Sequence, residues 1–380
     1  MSILLLVCGA LSLLVALVGL LALGDLVQLI VAFPRAFTYA VFRVRIPLMI
    51  LGTGLFGVTL FLGIADRLAP WWALVLYAAV FAVLFFGGFV GPTYVLFRTQ
   101  QRSARYVPVA DLAGQLEDDA EVFTVEVNGD ARAFPHRWIQ RPHVAGDVVG
   151  GEPVAMTYCA LSHLGMAYRA EDGGRTLDLK VMTQLENNLV LFDASTQEPI
   201  EQIYGRTVGR GGAIPTIPST VMPFRAFRSL YPEGKVFFNP PSGFLDRRVR
   251  GMMDGLLFKQ GGQYDPSNPK PVFPTIDHVD RRVPAKEQVY GIVLDGEAVA
   301  FTLGYLAKNG GAVTERIGES LITVKHFPDL GFVDVFLGDV KDVDPRGFRP
   351  GGEQAPRVPH ASCVLWMIWA NFYRGTGVRV

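Results

Sequence analysis

The sequence predicts a mainly β domain attached to three membrane-spanning helices. Three long apolar runs fill the first quarter of the 380 residues and end at about Phe97. Beyond them, short segments of β-branched and aromatic residues alternate with Gly, Pro, Asn and Asp, a pattern typical of strands and turns. Asn128-Gly129 and Asp295-Gly296 stand between such segments and predict tight β-hairpins. Whatever this protein does, we expect it to act beside a membrane.

The three apolar runs define a membrane region over residues 1–105. They cover about residues 3–33, 46–65 and 71–97. A bilayer core of roughly 30 Å needs about 20 helical residues, so each run is long enough to span it. A cleavable signal peptide is the alternative for the first run. No basic segment precedes that run and its apolar stretch is long, so we expect a retained helix.

The arginine distribution predicts the orientation of these helices. Arginines are concentrated between the first two runs and just after the third, whereas Asp66 and Arg67 balance each other between the second and third. By the positive-inside rule, the first loop and the C-terminal region share the cytoplasmic side of the cell membrane. The arginines in question are Arg35, Arg43, Arg45, Arg98, Arg102 and Arg105.

A weak internal repeat suggests that the β domain consists of two related lobes, each a sandwich or barrel. The segment NGDARAF at 128–134 resembles DGEAVAF at 295–301. We predict a first β lobe over 106–235 and a second over 276–380, the latter ending in an aromatic segment docked into the core. The Pro- and Gly-rich residues 236–275 between them predict an irregular connection.

Charge and cysteine content exclude several classes of protein. The formal net charge is zero and no basic stripe is present, so a nucleic acid is not an expected partner. The three cysteines, Cys8, Cys159 and Cys363, lie far apart and do not describe a disulfide framework. A bridge between Cys159 and Cys363 stays open as an alternative.

The stretch TYCALSHLGMAY at 157–168 resembles the signature of a widespread prokaryotic domain-of-unknown-function family. That signature is a Tyr-Cys-x-x-Cys-type motif. Further matches follow in order over nearly all of the chain after about Val107, and the membrane region lies outside them. Ser162 stands where the family pattern commonly has its second cysteine. If a cysteine pair gives the family a metal or redox role, half of that pair is missing here.

Cys159 and His163 are the candidates for chemistry, and three alternatives remain for them. In the first, a thiolate and imidazoles bind copper or zinc, with His143 and His326 as further candidate ligands. In the second, Cys159 and His163 form a nucleophile and base pair, oriented by Asp147 or Asn187. In the third, Cys159 is a buried, inert thiol at the end of a strand. Nothing in the sequence selects one of them.

Two classes of function therefore remain. The absence of a complete catalytic set favours a membrane-anchored accessory or structural subunit rather than an enzyme. Its partners would be membrane lipid and a larger protein complex of respiratory, photosynthetic or transport type. The alternative is a metal-dependent or redox-active enzyme that uses Cys159 and His163.

Overall fold

The computed structural model describes residues 3–65, 68–112, 114–209 and 211–380. Three of its helices are long and apolar enough to cross a membrane, as predicted. They are α1 (Ile3–Leu23), α3 (Arg45–Ala65) and α4 (Trp71–Phe85), the last of which continues as a π-helix, Phe86–Leu96. The charged pair predicted between the second and third helices, Asp66 and Arg67, lies outside the described residues.

The first membrane helix is shorter than predicted because Asp25 bonds to the β domain instead of continuing the helix. α1 ends at Leu23, and a 3-10 turn, Asp25–Leu29, follows. One carboxylate oxygen of Asp25 accepts hydrogen bonds from the Thr183 hydroxyl, at 2.7 Å, and from the backbone N–H of Gln184, at 2.8 Å. The apolar residues after it therefore do not extend the span.

The loop between the first two spans docks against the β domain through ion pairs. It contains a short helix, α2 (Arg35–Arg43). The Arg35 guanidinium lies 2.6 Å from the Glu186 carboxylate and 2.8 Å from that of Glu201. The Tyr39 hydroxyl also donates a hydrogen bond to the Glu201 carboxylate, at 2.8 Å. These contacts fix the position of the β domain relative to the helices.

Beyond residue 100 the chain is rich in strands, as predicted, and its short helices connect them. The helices are α5 (His136–Ile139), α6 (Phe224–Leu230), α7 (Gly243–Leu257), α8 (Leu303–Lys308) and α9 (Trp366–Phe372). The strands are β1 (Tyr106–Pro108), β2 (Glu121–Val127), β3 (Asp130–Pro135), β4 (Val144–Val149), β5 (Glu152–Cys159), β6 (Leu164–Arg169), β7 (Glu171–Asp172), β8 (Arg175–Thr176), β9 (Leu179–Leu185), β10 (Asn188–Asp193), β11 (Glu198–Glu201), β12 (Arg206–Thr207), β13 (Thr216–Ile217), β14 (Ser219–Pro223), β15 (Lys235–Phe237), β16 (Gln288–Leu294), β17 (Glu297–Thr302), β18 (Ala312–Ile317), β19 (Ser320–Phe327), β20 (Phe332–Leu337), β21 (Ala361–Leu365) and β22 (Gly377–Arg379).

Two halves of the β domain repeat the same order of elements. In the first half, the sheet contains the strand order β15-β3-β2-β14, with β15 parallel to β3. In the second half the order is β22-β17-β16-β21, with β22 parallel to β17. Each central hairpin is followed by a short helix and a three-stranded meander, β4-β5-β6 or β18-β19-β20. The first half carries β7 to β13 as an additional segment.

The repeated hairpins place equivalent residues in equivalent backbone conformations. Asn128 and Gly129 turn with φ of 49° and 80°, and Asp295 and Gly296 turn with 52° and 83°. A two-residue turn with both φ positive is the type I′ hairpin that the sequence predicted. The segments NGDARAF and DGEAVAF are thus equivalent hairpins.

The segment predicted to be an irregular connection contains a helix. α7 buries one face, formed by Asp246, Val249, Arg250, Met253 and Leu257. These residues recur at the three- and four-residue spacing of an amphipathic helix, a period that the abundant Gly and Pro around it obscure. The prediction of an irregular 236–275 is therefore wrong over Gly243–Leu257. The C-terminal segment, in contrast, docks into the core as predicted, because every residue of α9 is buried.

Gly165 of β6 allows the core to close beside the candidate site. A Cβ atom at this position would lie 2.2 Å from the Phe123 ring. We expect Gly165→Ala to lower the free energy of unfolding by about 1–3 kcal/mol, because an overpacked core must shift to relieve the clash. Gly251→Ala on the exposed face of α7, where a Cβ atom meets nothing within 4 Å, is the matched control. It should stabilise the protein slightly, by up to about 1 kcal/mol. Urea unfolding in mild detergent measures both, and an equal effect would contradict the argument.

Candidate metal centre

The first hairpin brings a carboxylate and an imidazole together. Glu121 is the first residue of β2, and His136 follows directly after β3. The two strands pair with Val122 opposite Pro135, so Glu121 and His136 stand opposite each other at the open end of the hairpin. The Glu121 carboxylate oxygen Oε2 lies 3.3 Å from Nδ1 of His136.

A second imidazole reaches the same oxygen from a tight turn. His163 lies in the turn between β5 and β6 and has a φ of 56°, in the left-handed region that few residues other than glycine adopt. Its Nε2 lies 3.1 Å from Glu121 Oε2, and its Nδ1 lies 3.1 Å from the carbonyl oxygen of Cys363. Cys363 also has a positive φ, of 60°. Two sparsely populated backbone conformations thus hold this ring, as is common at functional sites.

The three side chains have the spacing of a metal-ligand set. Glu121, His136 and His163 each present one ligand atom, and these atoms lie within 4.8 Å of one another. Ligands held at 2.0–2.2 Å from a tetrahedral zinc ion are separated from each other by roughly 3.3 Å. The distances of 3.1 and 3.3 Å from Glu121 Oε2 to the two nitrogens therefore match the edges of such a coordination shell.

Hydrogen bonds on the far side of each ring direct a free nitrogen towards Glu121. The Cys363 carbonyl can only accept, so it takes the Nδ1–H of His163, and in the neutral tautomer with this bond Nε2 carries the lone pair. The Tyr264 hydroxyl donates to the Ala160 carbonyl and lies 3.1 Å from the Tyr158 hydroxyl. Tyr158 in turn lies 2.5 Å from Nε2 of His136.

A consistent direction runs through this chain of bonds. With the Tyr264 proton given to the Ala160 carbonyl, Tyr158 can donate to Tyr264 and accept from the Nε2–H of His136, and a neutral His136 ring then keeps its lone pair on Nδ1. Two imidazole lone pairs and a carboxylate then converge on one point. Three hydrogen-bond acceptors this close repel one another unless a proton or a cation lies between them. Hydrogen bonds to the far side of each ring, as seen here, are typical of metal-binding histidines.

The protonation states also suit metal binding. Burial acts to raise the pKa of Glu121, but in the metal-free form His136 and His163 can donate hydrogen bonds to its carboxylate, and these hold the pKa well below its usual range. Burial lowers the pKa of His136, so this ring is neutral at physiological pH. An ionised carboxylate and a neutral imidazole are the forms that coordinate a metal.

The centre is open on one side. The side chains of His163 and His136 are 2% and 9% exposed, whereas that of Glu121 is 42% exposed. Phe258, at the end of α7, is exposed beside His136, with 6.0 Å between ring centroids. A metal held by three protein ligands beside solvent would keep a position for water or substrate, which distinguishes catalytic zinc sites from structural ones.

Cys159 does not contribute to this cluster. Its thiol donates to the Gln184 side-chain oxygen, at 3.2 Å, and approaches the Asn187 carbonyl at 3.7 Å. Burial raises the pKa of the Cys159 thiol, so it is protonated at neutral pH. Both nitrogens of His163 are engaged with Glu121 and Cys363. Within the described residues the predicted pair of Cys159 and His163 therefore does not form, and the inert-thiol alternative describes Cys159 best.

The other predicted ligands lie apart from the centre. His143 is 1% exposed, stacks on Phe97, and has no hydrogen-bond partner for either ring nitrogen among the described residues. His326 lies on β19, in the second half of the β domain. Neither belongs to the cluster of Glu121, His136 and His163. Of the predicted metal ligands, the cluster contains His163 alone.

Sequence reasoning missed Glu121 and did not select His136 from the remaining histidines. The signal was present in the register of the hairpin, because counting outward from the Asn128-Gly129 turn places Glu121 opposite His136. The second half of the domain has Gln288 at the start of β16 and Leu303 at the start of α8. The repeat thus keeps the scaffold and carries these ligands in one half only.

A family model described as a protein of unknown function (DUF3179) matches residues 101–376. This match covers more than half of the chain, which therefore belongs to that family. It spans the β domain and leaves the membrane helices outside, as the resemblance in sequence implied. No curated protein and no solved structure matches the chain significantly.

Proposed function

We propose that this member of the DUF3179 family is a membrane-anchored metal-dependent enzyme whose metal ion is bound by Glu121, His136 and His163. The convergence of three acceptor atoms on one point carries the proposal. Two histidines and one carboxylate form the ligand set of several catalytic zinc sites and of non-haem iron sites. The bound ion would activate a water or polarise a substrate on the side where Glu121 is exposed.

The donor atoms suit zinc and do not suit copper(I). Imidazole nitrogen and carboxylate oxygen are suitable ligands for zinc, whereas copper(I) prefers thiolate or thioether sulfur. The Cys159 thiol, which would supply such sulfur, bonds to Gln184 and Asn187 instead. The cluster therefore fits zinc, and it does not fit a sulfur-ligated copper(I) site.

Elemental analysis of the full chain tests this proposal. Protein purified in mild detergent without chelators should contain about one zinc or iron ion per chain, because the three ligands form one mononuclear site. A chelator should remove the ion, and added zinc should restore one equivalent. His326→Ala is the matched control, since it removes a histidine outside the cluster, and it should keep full occupancy. Metal-free protein that takes up no zinc would defeat the proposal.

The accessory-subunit function remains a prediction beside this one. The apolar faces of the membrane helices support it, since large side chains such as Ile50, Phe61 and Trp71 are exposed there. Lipid or a partner protein would cover them. Purification in mild detergent should then retain a partner complex. If His163→Asn loses metal while the complex persists, the two functions are separable.

The cytoplasmic orientation also remains a prediction. The contacts of Arg35 with Glu186 and Glu201 support a shared side for the first loop and the β domain. These ion pairs would hold Arg35 against the β domain whichever side of the membrane the domain occupies. Protease added outside sealed, right-side-out membranes should leave the β domain intact. Digestion of the β domain under these conditions would show that it lies on the opposite side of the membrane.

A further inference from the structure

A second site lies where the membrane helices meet the β domain. An open cavity of about 180 Å³ lies between α1, the π-helix Phe86–Leu96, α7 and the turn that precedes His163. Most of its wall is aliphatic or aromatic, including Leu20, Leu96, Leu161, Met253, Leu257 and Phe273. An engineered apolar cavity of about 150 Å³ holds benzene, so this one holds a ring or a few carbons.

Two polar side chains in this wall have unused hydrogen-bonding atoms. His143 is almost completely buried, and both its ring nitrogens lack partners among the described residues. Asp25 bonds to Thr183 and Gln184 through one carboxylate oxygen, and the other oxygen is buried without a partner in the same described set. Buried polar atoms without partners are rare because each loses its hydration, so two in one wall indicate a ligand.

The charge of the wall restricts that ligand. No lysine or arginine lines the cavity in the part of the chain that the structure describes. Burial lowers the pKa of His143 to about 3, so its ring is neutral and offers one N–H donor and one nitrogen acceptor. An anionic head group would find no cation here and would meet the Asp25 carboxyl group. The site therefore suits an uncharged polar group.

The mouth of the cavity is apolar. Leu26, Phe86 and Met252 line it and are 40–48% exposed. Phe86 belongs to the third membrane-spanning segment, and Leu26 follows the first. A molecule dissolved in lipid would thus reach the cavity along the helices without crossing water.

We propose that this cavity binds the head of a neutral membrane amphiphile, which has an alkyl or isoprenoid chain and a hydroxyl or carbonyl oxygen that bonds to His143. The oxygen pairs with the imidazole, and the chain leaves through the mouth past Leu26 and Phe86. The inference rests on residues other than the metal ligands, so it stands or falls independently of the metal centre.

Photolabelling of the full chain in phosphatidylcholine nanodiscs tests the proposal. The probe is a twelve-carbon alcohol with a diazirine close to its hydroxyl end. Labels should map to wall residues such as Leu161 and Met253, and excess dodecanol should suppress them while dodecyl phosphate does not. Labelling confined to the outer faces of the helices would overturn the proposal. Equal competition by dodecyl phosphate would overturn the requirement for a neutral head.

Two variants test the binding geometry. His143→Phe keeps a ring against Phe97 and removes both nitrogens; because residue 143 has a φ of 71°, phenylalanine should lower the melting temperature only through backbone strain. Competition by dodecanol should weaken about three- to tenfold, the range that one hydrogen bond supplies. Unchanged competition would contradict the role of His143. Met253→Trp fills the cavity and should abolish labelling, whereas Arg247→Trp, on the exposed face of the same helix, should label as the wild type does.

Discussion

His163→Asn should reduce the metal affinity of the protein by more than about 100-fold, because changes to outer-sphere partners alone reduce metal affinity 10–100-fold and this change removes a ligand. Asparagine tolerates the positive φ of 56° at this position better than alanine does, so the turn should keep its conformation. Competition with a chromophoric chelator measures the affinity. Glu121→Gln, which keeps the shape of the side chain and removes its charge, should act in the same direction.

The controls separate ligand loss from unfolding. His326→Asn makes the same substitution outside the cluster and should leave the affinity unchanged. The melting temperature of metal-free His163→Asn should stay close to that of the metal-free wild type. Wild-type affinity in both His163→Asn and Glu121→Gln would contradict the assigned ligand set.

The second large effect concerns the ion-pair network that joins the two halves of the β domain. The Arg357 guanidinium lies 2.8 Å from the carboxylates of both Glu126, on β2, and Asp334, on β20. The carboxylate side chains are 7% and 4% exposed. Arg357→Met should lower the free energy of unfolding by about 3–5 kcal/mol, because it leaves the buried Asp334 carboxylate without its cation and leaves Glu126 with only Arg346, 3.7 Å away.

An exposed ion pair provides the comparison for this prediction. Arg349 lies 3.6 Å from Glu353, and the Glu353 side chain is 76% exposed. Arg349→Met should change the free energy of unfolding by at most about 0.5–1 kcal/mol, since solvent screens such pairs. Urea unfolding of both variants in the same detergent measures the difference. Similar losses in the two variants would show that Arg357 does not hold the halves together.

Local patterns predicted the elements of the fold well. Hydrophobic length identified the three long helices, and Asn128-Gly129 with Asp295-Gly296 identified the two repeated hairpins. The hidden helix α7 was missed because its buried face mixes apolar residues with Asp246 and Arg250, which are buried against Arg141 and neighbouring carbonyls. The end of α1 was missed because Asp25 finds its partners on β9, more than 150 residues away.

The candidate site was less predictable because tertiary packing assembles it. The hairpin register places Glu121 beside His136, which the sequence alone could have indicated. His163 joins them only because its turn folds against this hairpin. Its tautomer depends on the carbonyl of Cys363, 200 residues further along the chain. The sequence motif made Cys159 a candidate ligand. In the structure its thiol contacts Gln184 and Asn187 and is not part of the ligand set.

Anomalous X-ray diffraction at the zinc and iron absorption edges, from crystals of the full chain grown without chelators, tests the metal centre most directly. We expect one peak about 2.0–2.2 Å from Glu121 Oε2, His136 Nδ1 and His163 Nε2. A peak at the Cys159 thiol, or no peak at this cluster after soaking with zinc, would contradict the proposed metal centre.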